Sequence, residues 1–167
     1  GSHDVTADAN FEFVAAESAK PSNLWATHVR FNGYVQGSSN EHYPWLYGVS
    51  KNAAKTLGKV RVRAKVPAGN YEVKYRAGKT FMSGMQYIYV NGKYMGLFDS
   101  YIDDTAIAYD KAVMEEKSLG TVSVTPDSDG YADIQIASAA VSRGAVAKTH
   151  NNGVSMLPSR ITLTPVE

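Results

Sequence analysis

The sequence contains no cysteine. That absence excludes a metal–thiolate centre, a cysteine nucleophile and a disulfide framework together. No apolar run approaches the roughly 20 residues that span a bilayer, so membrane insertion is not expected. Neither charge is in surplus: 17 basic residues stand against 16 acidic ones, for a net charge of +1. A nucleic-acid binder neutralises several phosphates with a basic face, and this balance argues against that class. There is no G-x-S-x-G nucleophile elbow, no P-loop and no G-x-G-x-x-G turn. The four histidines, His3, His28, His42 and His150, show no metal-type spacing.

What the chain does have is tyrosine, 11 of them, beside 5 phenylalanines and 2 tryptophans. Tyrosine offers a flat apolar face with a hydroxyl at its tip, which suits surfaces that stay partly wet. With weak net charge and no cysteine, this composition fits an extracellular or cell-surface binding domain better than a cytosolic enzyme. The 167 residues suit one domain with a proper core, since a chain of about 150 residues hides roughly 68–70% of its unfolded surface. Gly1-Ser2-His3 reads as the remnant of a cleaved purification tag, leaving 4–167 as a single domain.

Alternation with period two recurs along the chain, and helical periodicity hardly appears. Phe11–Val14 opens the series. Lys59, Arg61, Arg63 and Lys65 alternate with Val60, Val62, Ala64 and Val66, which gives a strand with a solvated basic face. Pro67-Ala68-Gly69-Asn70 reads as a turn, and Tyr71–Arg76 alternates again, predicting a hairpin. Met85–Val90 runs into Asn91-Gly92, the strongest hairpin signal present, and Lys93–Phe98 returns from it. Thr121–Thr125, Tyr131–Ile136 and Ile161–Leu163 complete the set, and Ala139–Lys148 offers a further strand broken by Gly144. Ile102–Lys117 is rich in helix formers, with Asp103 or Asp104 as a cap, and predicts a short helix or an irregular loop. Many short strands with turns between them, and no βαβ alternation, predict an all-β antiparallel sandwich.

Four segments resemble, in order, those of galactose-binding-like carbohydrate-binding modules of the family-six and family-thirty-five type. They are Phe11-Glu12-Phe13-Val14-Ala15-Ala16-Glu17, Val66-Pro67-Ala68-Gly69-Asn70-Tyr71-Glu72-Val73-Lys74-Tyr75-Arg76, Tyr89-Val90-Asn91-Gly92-Lys93 and Arg160-Ile161-Thr162-Leu163-Thr164-Pro165-Val166. The chain is similar also to C-terminal sandwich domains of surface glycan-binding proteins of gut bacteria. The resemblance implies a jelly-roll sandwich, monomeric and part of a larger multidomain protein. It implies recognition of a polysaccharide or oligosaccharide on loops at one end or on one sheet face, and a structural calcium ion. Glu12 and Glu17 are the candidate calcium ligands, although Ser159-Arg160-Ile161 stands where members place an aspartate.

Sugar rings stack their C–H faces on aromatic planes while their hydroxyls find polar partners around the rim. Tyr43, Trp45 and Tyr47, flanked by Asn40, Glu41 and His42, supply both kinds of group and are the first candidates for ligand contact. Core packing of Trp45 is the competing reading. Asn151 and Asn152 come next, because the resemblance puts a sugar-binding asparagine in that loop; a plain turn is equally open. Tyr101, Asp103 and Asp104 could line the same rim. Adjacent carboxylates seldom face each other across a substrate, so no glycosidase pair is read here and no catalytic residue is assigned. The expected function is therefore non-catalytic glycan binding, and the alternative is a structural or protein-adhesion sandwich.

Overall fold

The computed structural model describes residues 10–14, 26–31, 35–36, 42–48, 59–81, 83–107, 109–138 and 154–166. Among these residues thirteen strands follow one another: β1 (Asn10–Val14), β2 (Thr27–Arg30), β3 (Val35–Gln36), β4 (His42–Tyr43), β5 (Leu46–Gly48), β6 (Lys59–Lys65), β7 (Gly69–Lys79), β8 (Met85–Val90), β9 (Lys93–Asp99), β10 (Val113–Val124), β11 (Tyr131–Ser138), β12 (Val154–Met156) and β13 (Pro158–Val166). Two large sheets form, in the orders β1-β6-β11-β8-β9 and β10-β7-β13-β2. Pairs β3–β4 and β12–β5 stand apart. Pairing is antiparallel except at the edge, where β1 runs parallel to β6. The architecture is a β-sandwich.

Alternation decides which side chains fill it. Val60, Val62 and Ala64 of β6, Ala132, Ile134 and Ile136 of β11, and Ile88 and Val90 of β8 turn one way. They meet Tyr71, Val73, Tyr75 and Ala77 of β7, Val122 and Val124 of β10, and Ile161 and Leu163 of β13. Burying each large apolar side chain contributes about 1.5–3 kcal/mol relative to exposure. One buried polar network runs between the sheets. The buried Tyr75 hydroxyl donates to Gln86 Oε1 at 2.5 Å, Gln86 Nε2 donates to Ser100 Oγ at 3.0 Å, and Ser100 Oγ donates to the Gly84 carbonyl. Burial pushes the Tyr75 phenol far above its usual range. Deprotonation would place an unpaired charge in the core.

The Asn91-Gly92 hairpin forms as expected, joining β8 to β9 with both residues at positive φ, 48° and 79°. The hairpin expected around Pro67–Asn70 does not. β6 pairs with β1 and β11, whereas β7 pairs with β10 and β13. The turn instead carries the chain from one sheet to the other, because both flanking strands bury a full face and meet across the core rather than edge to edge. The Tyr71 hydroxyl, donating to the Pro67 carbonyl at 2.6 Å, fastens this corner.

Of Ile102–Lys117, the stretch up to Ala112 is the irregular loop, one of the two expectations, and Val113–Lys117 departs from both by forming a strand. A turn at Asp104 and a single 3-10 turn at Tyr109–Lys111 lead into β10, whose first residues pair with the end of β7. The helix-prone Glu115 and Glu116 find partners across strands instead, Lys79 at 2.8 Å and Arg160 at 3.0 Å. Tertiary pairing overrides local propensity here. The possible strand Ala139–Lys148 lies outside the described residues.

A second, smaller apolar cluster contains Tyr43, Ala112 and Leu157, with Trp45 and Met114 packed against it. It sits over Gly78, which by alternation faces away from the main core. A Cβ on Gly78 would meet Ala112 Cβ at 2.8 Å and Leu157 Cβ at 3.3 Å. Glycine is required there for room. This is how the segment containing Tyr43 and Trp45 reaches the outer surface of the β10-β7-β13-β2 sheet.

Candidate functional site

The β8–β9 hairpin turns one side of its strands to solvent. In β8 the residues Gln86, Ile88 and Val90 are buried, while Met85, Tyr87 and Tyr89 alternate outward. Across the hairpin a register shift between Ile88 and Tyr89 sets Tyr94 directly opposite Tyr89. Ring centroids of Tyr89 and Tyr94 lie 5.6 Å apart at 54°, and those of Tyr87 and Tyr94 lie 6.1 Å apart at 53°. Tyr94 is 51% exposed. Three rings thus form one tilted, solvent-facing cluster.

Polar side chains continue the same face. Gln135 is the register partner of Tyr89, and Arg61 that of Gln135. Gln135 Nε2 donates to Asp133 Oδ2 at 3.5 Å, and Arg61 Nε donates to Asp133 Oδ1 at 2.5 Å. Arg63 donates to Asp127 at 3.0 Å and its guanidinium lies 4.3 Å over the Tyr131 ring. Hydrogen bonds from the Tyr131 amide first, and then from Arg63 and the Asp129 amide, hold the Asp127 carboxyl below its ordinary range. Arg61 and Arg63 thus each have a carboxylate within reach, and beside them the three rings and the Gln135 amide offer aromatic and hydrogen-bonding contacts. With neighbouring strands about 4.7–4.9 Å apart, the row Tyr94–Tyr89–Gln135 is about 10 Å long.

The residues singled out from sequence fall elsewhere. Tyr43, in β4, is fully buried at 0% exposure within the small cluster. Its ring is enclosed by neighbours and packs there. Trp45 is half-buried against the same cluster, and Tyr47 lies in β5 opposite Ser155. The segment shows no long alternation because β4 and β5 are only two and three residues long. Tyr101 donates its hydroxyl to Asp103 at 3.0 Å, and the Asp104 carboxylate accepts from the Ala106 amide at 3.0 Å. Both aspartates shape an exposed turn, and Tyr101 forms a bridge to Thr80 at its base. Asn151, Asn152 and Glu17 lie outside the described residues. Glu12 is the backbone partner of Arg61 in β1. Among the described residues no group of three histidine or carboxylate side chains gathers as a metal site, and calcium takes six to eight oxygens.

No known protein family matches the sequence, and no curated protein matches it. Among solved structures, the fold is similar to part of a xanthan lyase from Paenibacillus, with a TM-score of 0.52 and 18% identity. That match covers 86% of this chain and 12% of the lyase. Latent PorU from Porphyromonas gingivalis gives 0.47 and 10% identity over 92% of this chain and 14% of its own. A GH26-CBM35 β-(1,4)-mannanase from Podospora anserina gives 0.44 and 14% identity over 92% of this chain and 27% of its own. Carbohydrate-active enzymes thus figure among the structures matched, and this chain spans a small fraction of their length.

Proposed function

We propose that this sandwich is a non-catalytic carbohydrate-binding domain of a larger extracellular or cell-surface protein, and that it takes an uncharged stretch of glycan on the tyrosine face of the β8–β9 hairpin. The observation that carries the reading is the crowding of Tyr87, Tyr89 and Tyr94 at 5.6 and 6.1 Å on a face open to solvent. Rings that only filled space would be buried on the other side of the same strand, where Ile88 and Val90 are. Here they form a ledge for pyranose C–H faces, while the Gln135 amide and Asp133 carboxylate meet hydroxyls at its rim. A similar sandwich making up a small part of a xanthan lyase agrees with an accessory role.

Calorimetry against a panel of neutral xylans, mannans and glucans, with melting curves in parallel, tests the proposal. Removing one stacking ring costs on the order of 1–3 kcal/mol, so Tyr89→Ala and Tyr94→Ala should each weaken binding about tenfold or more. Because Tyr94 is half exposed, its variant should melt as the parent does. If both variants fold and bind like the parent, the tyrosine face is not the site. If no glycan binds at all, the adhesion reading replaces this one.

A further inference from the structure

Asn91 does more than turn the chain. β8 pairs with β11 as far as Val90 and Ile134, and one step further the chain bends away into the hairpin turn. There the Asn91 side chain takes over the ladder. The Asn91 amide donates to the Asp133 carbonyl at 2.7 Å, and its Oδ1 accepts from the Asp133 amide at 2.8 Å. Its Nδ2 donates to the Thr125 carbonyl at 3.1 Å. Thr125 directly follows β10. One side-chain amide thus clasps the hairpin and β11 of the first sheet to the end of a strand of the second.

The same dipeptide is chemically labile. The carbonyl carbon Cγ of Asn91 has a backbone nitrogen within reach along the chain, and glycine puts no side chain in the way of its approach. Asn91 and Gly92 are exposed, and nothing lies within 4 Å of where a Gly92 Cβ would stand. Water therefore reaches the turn. The clasp opposes reaction, because swinging Cγ toward the Gly92 nitrogen costs the hydrogen bonds to both Asp133 and Thr125.

We propose that Asn91 is a modification site, deamidated when the turn opens, and that the change is one-way because the product cannot rebuild the clasp. The Gly92 nitrogen bonds to Cγ of Asn91 and the Cγ–Nδ2 bond breaks. The proton given up by the attacking nitrogen ends on the departing one, which leaves as ammonia, and a cyclic imide remains. Water then opens the imide at either carbonyl, to aspartate or to isoaspartate. No oxidant or reductant enters. An ionised carboxylate only accepts, so it faces the Thr125 carbonyl with no hydrogen between them. Isoaspartate also lengthens the backbone inside a two-residue turn. The rate of conversion is set by how often this corner opens locally.

The test is peptide mapping by mass spectrometry of the full chain, held at mildly alkaline pH in native buffer and in enough urea to unfold it. Asn91 should convert to aspartate and isoaspartate in both, about tenfold or more slowly in native buffer, where only the open fraction reacts. Asn32 and Asn152 also precede glycine, and mapping reads each separately. Asn91→Asp keeps a residue that the turn accepts, yet it should melt a few degrees below the parent for want of the Thr125 hydrogen bond. Neither readout involves a glycan, so both are independent of whether the tyrosine face binds one. The proposal is overturned if Asn91 converts as fast in native buffer as in urea, or if it stays unconverted there over several weeks. It is overturned equally if aspartate is the sole product, since direct hydrolysis then bypasses the imide, or if Asn91→Asp melts with the parent.

Discussion

Gly78 belongs to a strand in which a larger residue would ordinarily be an improvement, since glycine in a strand interior costs about 0.5–1 kcal/mol relative to alanine. Its neighbours reverse that sign. With Ala112 Cβ 2.8 Å from where a new Cβ would stand, Gly78→Ala should destabilise by about 1–3 kcal/mol, which thermal melting reads as a drop of several degrees. A rise in Tm would mean that the outer cluster does not close over this strand. His28 makes a second residue-scale prediction. Desolvation, then Arg30, then Arg160 hold its imidazolium below the ordinary 6.5, with Glu116 pulling the other way. Its ring nitrogen Nδ1 lies 3.0 Å from Thr162 Oγ1. A depressed folded-state value means that the unfolded chain takes up the proton first as pH falls. Stability present above the unfolded value is therefore lost on acidification through the folded one. Melting temperature should fall between about pH 7 and about pH 5, and His28→Gln should flatten that slope.

Elements were more legible in the sequence than their partners. β6, β7, β8 and β11 announce themselves by alternation, because each buries one face and leaves the other more open. Pairing is decided by which edges meet after the sheets stack, and alternation carries no information about that; hence β6 and β7 were expected as a hairpin and face each other across the core. Beneath the tyrosine site, Met85, Tyr87 and Tyr89 were visible as one face and Gln86, Ile88 and Val90 as the other. The two triplets are nearly matched in apolar character, so nothing local says which points inward. The bulge that brings Tyr94 rather than Met95 opposite Tyr89 is equally silent in the sequence. β13 yields an element-scale prediction. It lies between β7 and β2 and contributes buried Ile161 and Leu163. A chain ending at Met156 should therefore show no cooperative melting transition and should be digested rapidly by protease. A native-like transition would place the structural weight of the sheet elsewhere.

At the scale of the whole molecule, the two sheets turn unlike outer surfaces in opposite directions, one carrying the Tyr87–Tyr89–Tyr94 cluster and the other the apolar cluster over Gly78. Composition does not reveal this, because it is a sum over both faces. The wiring has a further consequence, for the life of the chain before it is finished. β1 waits for β6, β7 waits for β10 and β13, and among the described residues β2 is paired only by β13. Pairings so distant in sequence form slowly, since loop closure precedes any reward from contact. Synthesis lays down β2 long before β13, so the second sheet cannot close until β13 has emerged, and until then β2 lacks its described partner and leaves Val29 open to other nascent chains.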